Sequence, residues 1–268
     1  MPDSLRDWRI VLTRPTGQNE ALAARIRAAG GEVILLPLLD IAPPAAPLSV
    51  QSLHAQLARS DWAIFISPNA VRMALRVLPA ADWPTTLRLA AIGQGTARTL
   101  REAGLGEALA PAAGADSESL LALAEFAQPS GRRILLVRGE GGRELLAQTL
   151  TERGASVEHA VVYRRLACPP GLPALRQQIG GERTLWVITS SEALRVLLGA
   201  AQHAADAAWL CAQDFVFAHP RIAELGAKSG LNRGMIAPSP EDDAVFKLLM
   251  SLTQKTDLAP SPRQGGGK

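Results

Sequence analysis

The residues of this 268-residue chain that could do chemistry gather in six short segments rich in Gly, hydroxyl side chains and arginine. They are Arg14–Gln18, Ser67–Asn69, Gly93–Thr96, Arg138–Gly142, Thr189–Ser191 and His219–Arg221. Each follows an apolar run and precedes a stretch with helical spacing. Ser67, Thr96, Ser190 and Ser191 therefore stand where backbone N–H groups are unpaired and a helix dipole is positive. Such termini bind phosphate or carboxylate, and they are equally the ordinary place for a capping hydroxyl. Arg14 and Arg138 stand just past a strand. A guanidinium there either clamps a ligand carboxylate or locks its own loop through an ion pair. Asn69, Gly95, Gly139, Gly142, Arg143 and His219 complete the polar set.

What these segments lack excludes several chemistries. Gly93–Arg98 (GQGTAR) and Gly139–Glu144 (GEGGRE) both begin Gly-x-Gly, but neither has the third glycine of a dinucleotide fingerprint or an acidic ribose partner. There is no Walker A sequence and no Gly-x-Ser-x-Gly elbow. His54, His159, His203 and His219 lack metal-ligand spacing. So do Cys168 and Cys211, which read as thiols in a reducing compartment. The 28 Lys and Arg against 25 Asp and Glu leave a net charge of +3 spread along the chain, so no basic patch points to nucleic acid. A pI near 9.2 is compatible with anionic small ligands. The first residues, MPDSLRDWR, are charged where a secretory signal is apolar, and no apolar run approaches the about 20 residues of a membrane span. A cytoplasmic protein is expected. A monomer is also expected, because no large unexplained apolar stripe is visible.

The elements that must hold these segments alternate strand and helix. Strands are predicted at Ile10–Thr13, Val33–Leu36, Trp62–Ile66, Leu87–Ile92, Ala108–Ala110, Ile134–Val137, Val157–Tyr163, Trp186–Ile188, Phe215–Ala218 and Met235–Ala237. Helical spacing lies between them, as in Glu20–Ala29 with Leu22 and Ile26 on one face, or Ser117–Phe126 with Asp116 or Ser117 as its cap. The chain is 47% hydrophobic with only 4% aromatics, which suits helices covering parallel sheets. The fold class is α/β, with two doubly wound, parallel-sheet domains. In such sheets ligands sit beyond the carboxyl ends of the strands, where the six segments fall.

The chain is internally duplicated. Arg14 matches Arg138, Glu20 Glu144, Leu22 Leu146, Gly30 Gly154 and Val33 Val157, all at one offset (138 − 14 = 124). Two extended runs, Glu32–Ala42 and Val157–Ala167, exceed the usual strand of about 5–6 residues, and Pro37 interrupts the first. As a pair they suit linkers between domains, although contiguous halves are also allowed. The composition KTDLAPSPRQGGGK from Lys255 cannot bury apolar surface, so residues 256–268 are expected to be a disordered tail.

With these segments the chain resembles the uroporphyrinogen-III synthase family. The resemblance runs from about Ile10 to Leu252. It is carried by VLTRP with Gly17 and Gly30, DWAIFISPNAV, AAIGQGTARTLREAG, ILLVRGEGGRELLAQTLTERGASV followed by VVYRR, WVITSSEAL, and FAHPRIAELGAKSGL. It implies two flavodoxin-like domains joined by a two-stranded linker: residues 1–38 with 166–255, residues 42–162, and linker strands 39–41 and 163–165. It also implies a reaction without metal or organic cofactor. The linear tetrapyrrole hydroxymethylbilane loses its hydroxyl as water and closes to uroporphyrinogen III with ring D inverted. A carboxylate-rich substrate suits a cleft lined by helix N-termini, hydroxyls and arginines, where catalysis is mostly positioning and charge stabilisation.

By the same resemblance, Tyr163 matches the linker tyrosine that assists departure of the hydroxyl. Thr96 matches the family threonine in a turn after a strand, and Ser190 or Ser191 the serine of the other domain's loop. The Arg138–Arg143 loop is implied to face the cleft. The second copy departs from the pattern, with His219-Pro220-Arg221-Ile222 where Gly-x-x-Thr is usual. The role of that threonine is then lost or moved to His219 or Arg221. The departure keeps a second reading open, a non-catalytic binder of an anionic tetrapyrrole or similar ligand.

Overall fold

Short runs such as Trp62–Phe65 and Leu185–Ile188 are apolar at every position, so both faces of their sheet must be covered. The computed structural model, which describes residues 5–141, 144–179 and 184–252, places helices on both faces of two parallel sheets. The predicted site residues Gly142 and Arg143, and the tail 256–268, lie outside the described residues.

In chain order the strands are β1 (Arg9–Leu12), β2 (Glu32–Leu35), β3 (Leu39–Ala42), β4 (Trp62–Phe65), β5 (Arg88–Ala91), β6 (Arg133–Gly139), β7 (Ser156–Ala167), β8 (Leu185–Ile188), β9 (Asp214–Phe217) and β10 (Gly234–Ile236). The helices are α1 (Glu20–Ala28), α2 (Val50–Ala58), α3 (Pro68–Val77), α4 (Gln94–Glu102), α5 (Ser117–Leu121), α6 (Ala124–Ala127), α7 (Leu145–Glu152), α8 (Leu172–Ile179), α9 (Ser191–Ala200), α10 (Ala204–Cys211), α11 (Pro220–Lys228) and α12 (Asp242–Leu252). The described residues divide into two compact units. One holds those up to Asp40 and from Leu166 onward, the other Ile41–Arg165. The chain passes between units within β3 and again within β7.

The first unit has strand order β2–β1–β8–β9–β10, all parallel. Side chains alternate across the sheet. Leu185 and Val187 of β8 join Ile10, Leu12, Leu22, Ile26 and Leu249 on the face under α1 and α12. Trp186 and Ile188 join Leu194, Leu197 and Trp209 on the face under α9 and α10. In the second unit the order is β3–β7–β6–β4–β5, with β7, β6, β4 and β5 parallel. Leu135 and Val137 of β6 pack with Ala63 and Phe65 toward α3 and α4. Ile134 and Leu136 pack with Trp62 and Ile64 toward α5 and α7.

The two sheets are one design cut at different places. The order β2–β1–β8–β9 has its match in β7–β6–β4–β5, and Leu109 bridges β5 where β10 lies beside β9. In each, the chain leaves one central strand (β1 or β6) toward one edge, and its neighbour (β8 or β4) toward the other. The loops after those two strands therefore diverge and leave a crevice at the carboxyl end, where open α/β sheets bind ligands.

Several elements differ from the sequence-based expectation. Ala108–Ala110 makes only a bridge at Leu109, because Pro111 follows and has no N–H to continue the ladder. The fifth strand of that sheet is β3 instead. Ser117–Phe126 is two short helices, parted where Leu123 turns extended (ψ 143), with Asp116 as the first cap through Oδ1 accepting Ser119 N–H at 2.8 Å. Helices α8 and α10 are additional to the expected elements, and the i, i+3, i+7 spacing of Leu172, Leu175 and Ile179 fits the first of them.

Candidate functional site

Ser67 ends β4 and opens α3. Its backbone is extended (φ −168, ψ 160), Pro68 follows at the first helical position, and Ser67 Oγ accepts the Ala70 N–H at 3.1 Å. The same Oγ lies 3.1 Å from the phenol oxygen of Tyr163. Tyr163 reaches it from β7, across β6. The parallel register pairs Arg138 with Val161 but Gly139 with Tyr163, so β7 carries one extra residue there. This bulge breaks the alternation and buries Val162 and Tyr163 in succession. The ring lies against Gly139, where an added Cβ would stand 2.6 Å from Tyr163 Cζ. Tyr163 is only 2% exposed. Arg165 Nη1 donates to its phenol oxygen over 3.5 Å, and the Tyr163 carbonyl accepts the Glu140 N–H at 2.7 Å.

Arg138 turns back into its own loop and is 5% exposed. Nη2 donates to the Gly141 carbonyl at 2.6 Å, and Nη1 meets Glu144 Oε1 at 2.9 Å. Nη1 also lies 3.4 Å from His159 Nδ1. Partial desolvation of the imidazole, and then the Arg138 charge, hold the His159 pKa below its ordinary value, so the ring is biased toward the neutral form whose Nδ1 can accept.

Two further predicted residues sit at the start of α4, which follows β5. Thr96 is buried. Gly95 faces open space, with nothing within 4 Å of where a Cβ would be, whereas Gly93 is needed because a Cβ there would stand 2.7 Å from the Ala115 side chain. Asn69, second in α3, accepts from Arg72 Nη1 at 3.5 Å.

In the first unit Arg14 repeats the part of Arg138 with other partners. Nη1 donates to the Gln18 carbonyl at 3.4 Å and pairs with Asp242 of α12, and Nη2 donates to the Pro240 carbonyl. Both arginines thus have the geometry of the loop lock. Thr13 Oγ1 donates to the Val187 carbonyl at 2.6 Å and fastens the end of β1 to β8. Ser190 caps α9, its Oγ accepting from Glu192 N at 3.1 Å and Ala193 N at 3.3 Å. Ser191 Oγ is buried with no hydrogen-bond partner among the described residues. His219 caps α11 with Nδ1 accepting the Arg221 N–H at 3.1 Å. Ile222 occupies the third position of α11, as Thr96 does of α4, and both are 3% exposed. The slot faces the core, so isoleucine fills it by packing.

The structure therefore brings Ser67, Gly139 and Tyr163 into one cluster, with Arg138 beside it on β6 and Thr96, Gly95 and Asn69 at adjacent strand ends. Ser190, Ser191 and Arg14 flank the corresponding crevice of the first unit, and His219 lies one strand farther along. Sequence reasoning missed two partners. Arg165 was signalled only by standing two residues from Tyr163 on a strand. Asp242 carried no signal, being 228 residues from Arg14.

A family model described as uroporphyrinogen-III synthase HemD matches residues 20–247. The chain belongs to the uroporphyrinogen-III synthase family. It is 32% identical over 244 residues to the uroporphyrinogen-III synthase of Salmonella typhimurium, covering 90% of this chain and 99% of that one. It is 38% identical over 159 residues to that of Proteus mirabilis, covering 59% and 80%. Among solved structures, a mutant uroporphyrinogen III synthase of Thermus thermophilus superposes with a TM-score of 0.61 at 19% identity, covering 92% of this chain and all of that one (100%). The Helicobacter pylori uroporphyrinogen-III synthetase gives 0.60 at 18%, covering 91% and 99%. These two likenesses show the shared fold. Among the described residues no group of three His, Cys, Asp or Glu is placed to hold a metal ion, and no helix is long and apolar enough to cross a membrane.

Proposed function

We propose that this chain is a uroporphyrinogen-III synthase in activity as well as in family, a cyclising lyase acting on hydroxymethylbilane. The substrate loses its hydroxyl as water to leave an azafulvene cation. The substituted carbon of ring D attacks that cation, and the resulting spiro-pyrrolenine fragments and recloses with ring D inverted. The observation that carries the reading is the family match across residues 20–247, supported by the hydrogen-bonded Tyr163–Ser67 pair at the crevice between β4 and β6.

In this reading Tyr163 supplies the proton for the departing hydroxyl. The helix starts at Ser67 and Asn69, at Gly95 and Thr96, and at Ser190 and Ser191 receive the carboxylate-rich periphery of the substrate. His219 does the same at α11. Arg14 and Arg138 act through the loops they hold, the second of which continues through Gly139 toward Gly142 and Arg143. The finer expectations of a cytoplasmic monomer working without metal or organic cofactor belong to the same proposal. Ile222 does not favour the non-catalytic alternative, since its slot is a packing position.

The test supplies enzymatically made hydroxymethylbilane and separates the isomers. Uroporphyrinogen III is expected in excess. Uroporphyrinogen I alone, the product of unassisted closure, would overturn the assignment.

A further inference from the structure

We infer that Ser67, and not Tyr163 itself, delivers the proton to the departing hydroxyl, with Tyr163 recharging Ser67 from behind. The inference rests on the proposed activity and on the proton-donor role of Tyr163, and refines which atom meets the substrate. The Tyr163 phenol is 2% exposed and its ring is wedged against Gly139, so it cannot touch a ligand without moving. Ser67, at the end of β4, is only partly buried.

The hydrogen bonds give the pair a direction. Tyr163 Oη accepts from Arg165 Nη1, and among the described residues the only acceptor within reach of its own O–H is Ser67 Oγ. Were Ser67 the donor, the buried phenol proton would be left unpaired, and a buried donor without a partner is penalised. Ser67 Oγ therefore accepts twice, from Tyr163 and from the Ala70 N–H, and its own proton is left to point away from both.

The step balances. The Ser67 O–H proton passes to the substrate hydroxyl as its C–O bond breaks, so water leaves and the carbon skeleton keeps the positive charge. The Tyr163 proton moves to Ser67 Oγ. The negative charge left on the phenol oxygen faces the Arg165 guanidinium, and the pair is reprotonated in a later step of the cycle.

Ser67→Gly separates the relay from the helix cap, because glycine at an N-cap is only slightly worse than serine while it removes the hydroxyl. The measurement is kcat for uroporphyrinogen III formation by the full chain, with thermal unfolding as the folding control. Tyr163→Phe and Ser67→Gly should each lower kcat by a similar factor, about 10²-fold or more. The double variant should be no worse than the poorer single, and Ser67→Thr should restore most of the rate. Ser67→Gly within roughly threefold of wild type while Tyr163→Phe falls would overturn the relay and leave Tyr163 as direct donor. A fall in Ser67→Gly alone would also overturn it. If neither variant falls, the donor role of Tyr163 fails and the relay with it. Wild type giving only uroporphyrinogen I would instead sink the activity itself.

Discussion

At residue 139 the lack of a side chain decides where the Tyr163 ring can lie. A Cβ there would sit 2.6, 2.7 and 3.0 Å from three ring carbons, closer than packed atoms tolerate. Gly139→Ala should therefore push the ring off Ser67 and cost about 1–3 kcal/mol of stability from overpacking. It should also lower uroporphyrinogen III formation nearly as far as Tyr163→Phe does. Kinetics and thermal unfolding of the one variant check both parts, and an unchanged kcat would mean that the seat of the ring is immaterial to the chemistry. This placement was only half legible in the sequence. Tyr163 and Gly139 could be named, because they fall in recognisable segments. Their contact depends on one extra residue in β7 opposite β6, and register is a property of two strands that neither strand's composition records. Likewise, the capping hydroxyls Ser67 and Ser190 follow from local rules, whereas the Arg165–phenol contact depends on how the bulged strand turns its side chains.

At the scale of elements, the duplicated loops after β1 and β6 hold their arginines in different electrostatic settings. The Arg138 side chain is 7% exposed, while its partner Glu144 is 52% exposed. Removing the carboxylate strands a buried guanidinium with the Gly141 carbonyl and the His159 ring. Removing the guanidinium leaves a carboxylate that water can solvate. Glu144→Ala is thus expected to destabilise by about 1–3 kcal/mol, less than a fully buried pair because water screens the glutamate. Arg138→Met, which keeps the volume without the charge, should cost less. Denaturant unfolding of the two variants gives the order, and the reverse order would mean that Arg138 is not held by its acidic partner. The strands themselves were the most legible elements. Runs such as WAIF and LWVI must be covered on both faces, and the helical spacing between them gives the covers. Ala108–Ala110 misled because a three-residue apolar run does not reveal that Pro111 ends its pairing. The length of the run Glu32–Ala42 and its Pro37 marked a segment leaving its domain, but not that the second half would be the edge strand of the other sheet.

For the whole molecule, the repeated module explains why one unit is interrupted and the other continuous. Four strands of each sheet share one spatial order, but the first unit begins at its central strand β1, whereas the second begins at its edge strand β3 and reaches its central strand β6 late. The sequence offset of 124 pointed to equal modules, and it fits contiguous halves as well as an inserted unit, because it records similarity and not connection. Covalent continuity therefore differs while the four-strand core does not, and each unit carries its own two apolar faces. Residues 41–165 expressed alone should fold cooperatively, since both faces of their sheet are covered by their own helices and parallel pairing runs through β7, β6, β4 and β5. The first unit is open only where Leu38 and Cys168 already share a hydrogen bond of 3.0 Å, Cys168 N–H to Leu38 carbonyl. A short glycine linker from Asp40 to Leu166 should thus let it fold without the insert. A single sharp thermal transition with a far-ultraviolet α/β spectrum is expected for each piece, and neither should form uroporphyrinogen III when supplied alone. A broad, non-cooperative transition for residues 41–165 would show that this module depends on its partner for stability, and that the duplication is one of sequence and topology without independent folding.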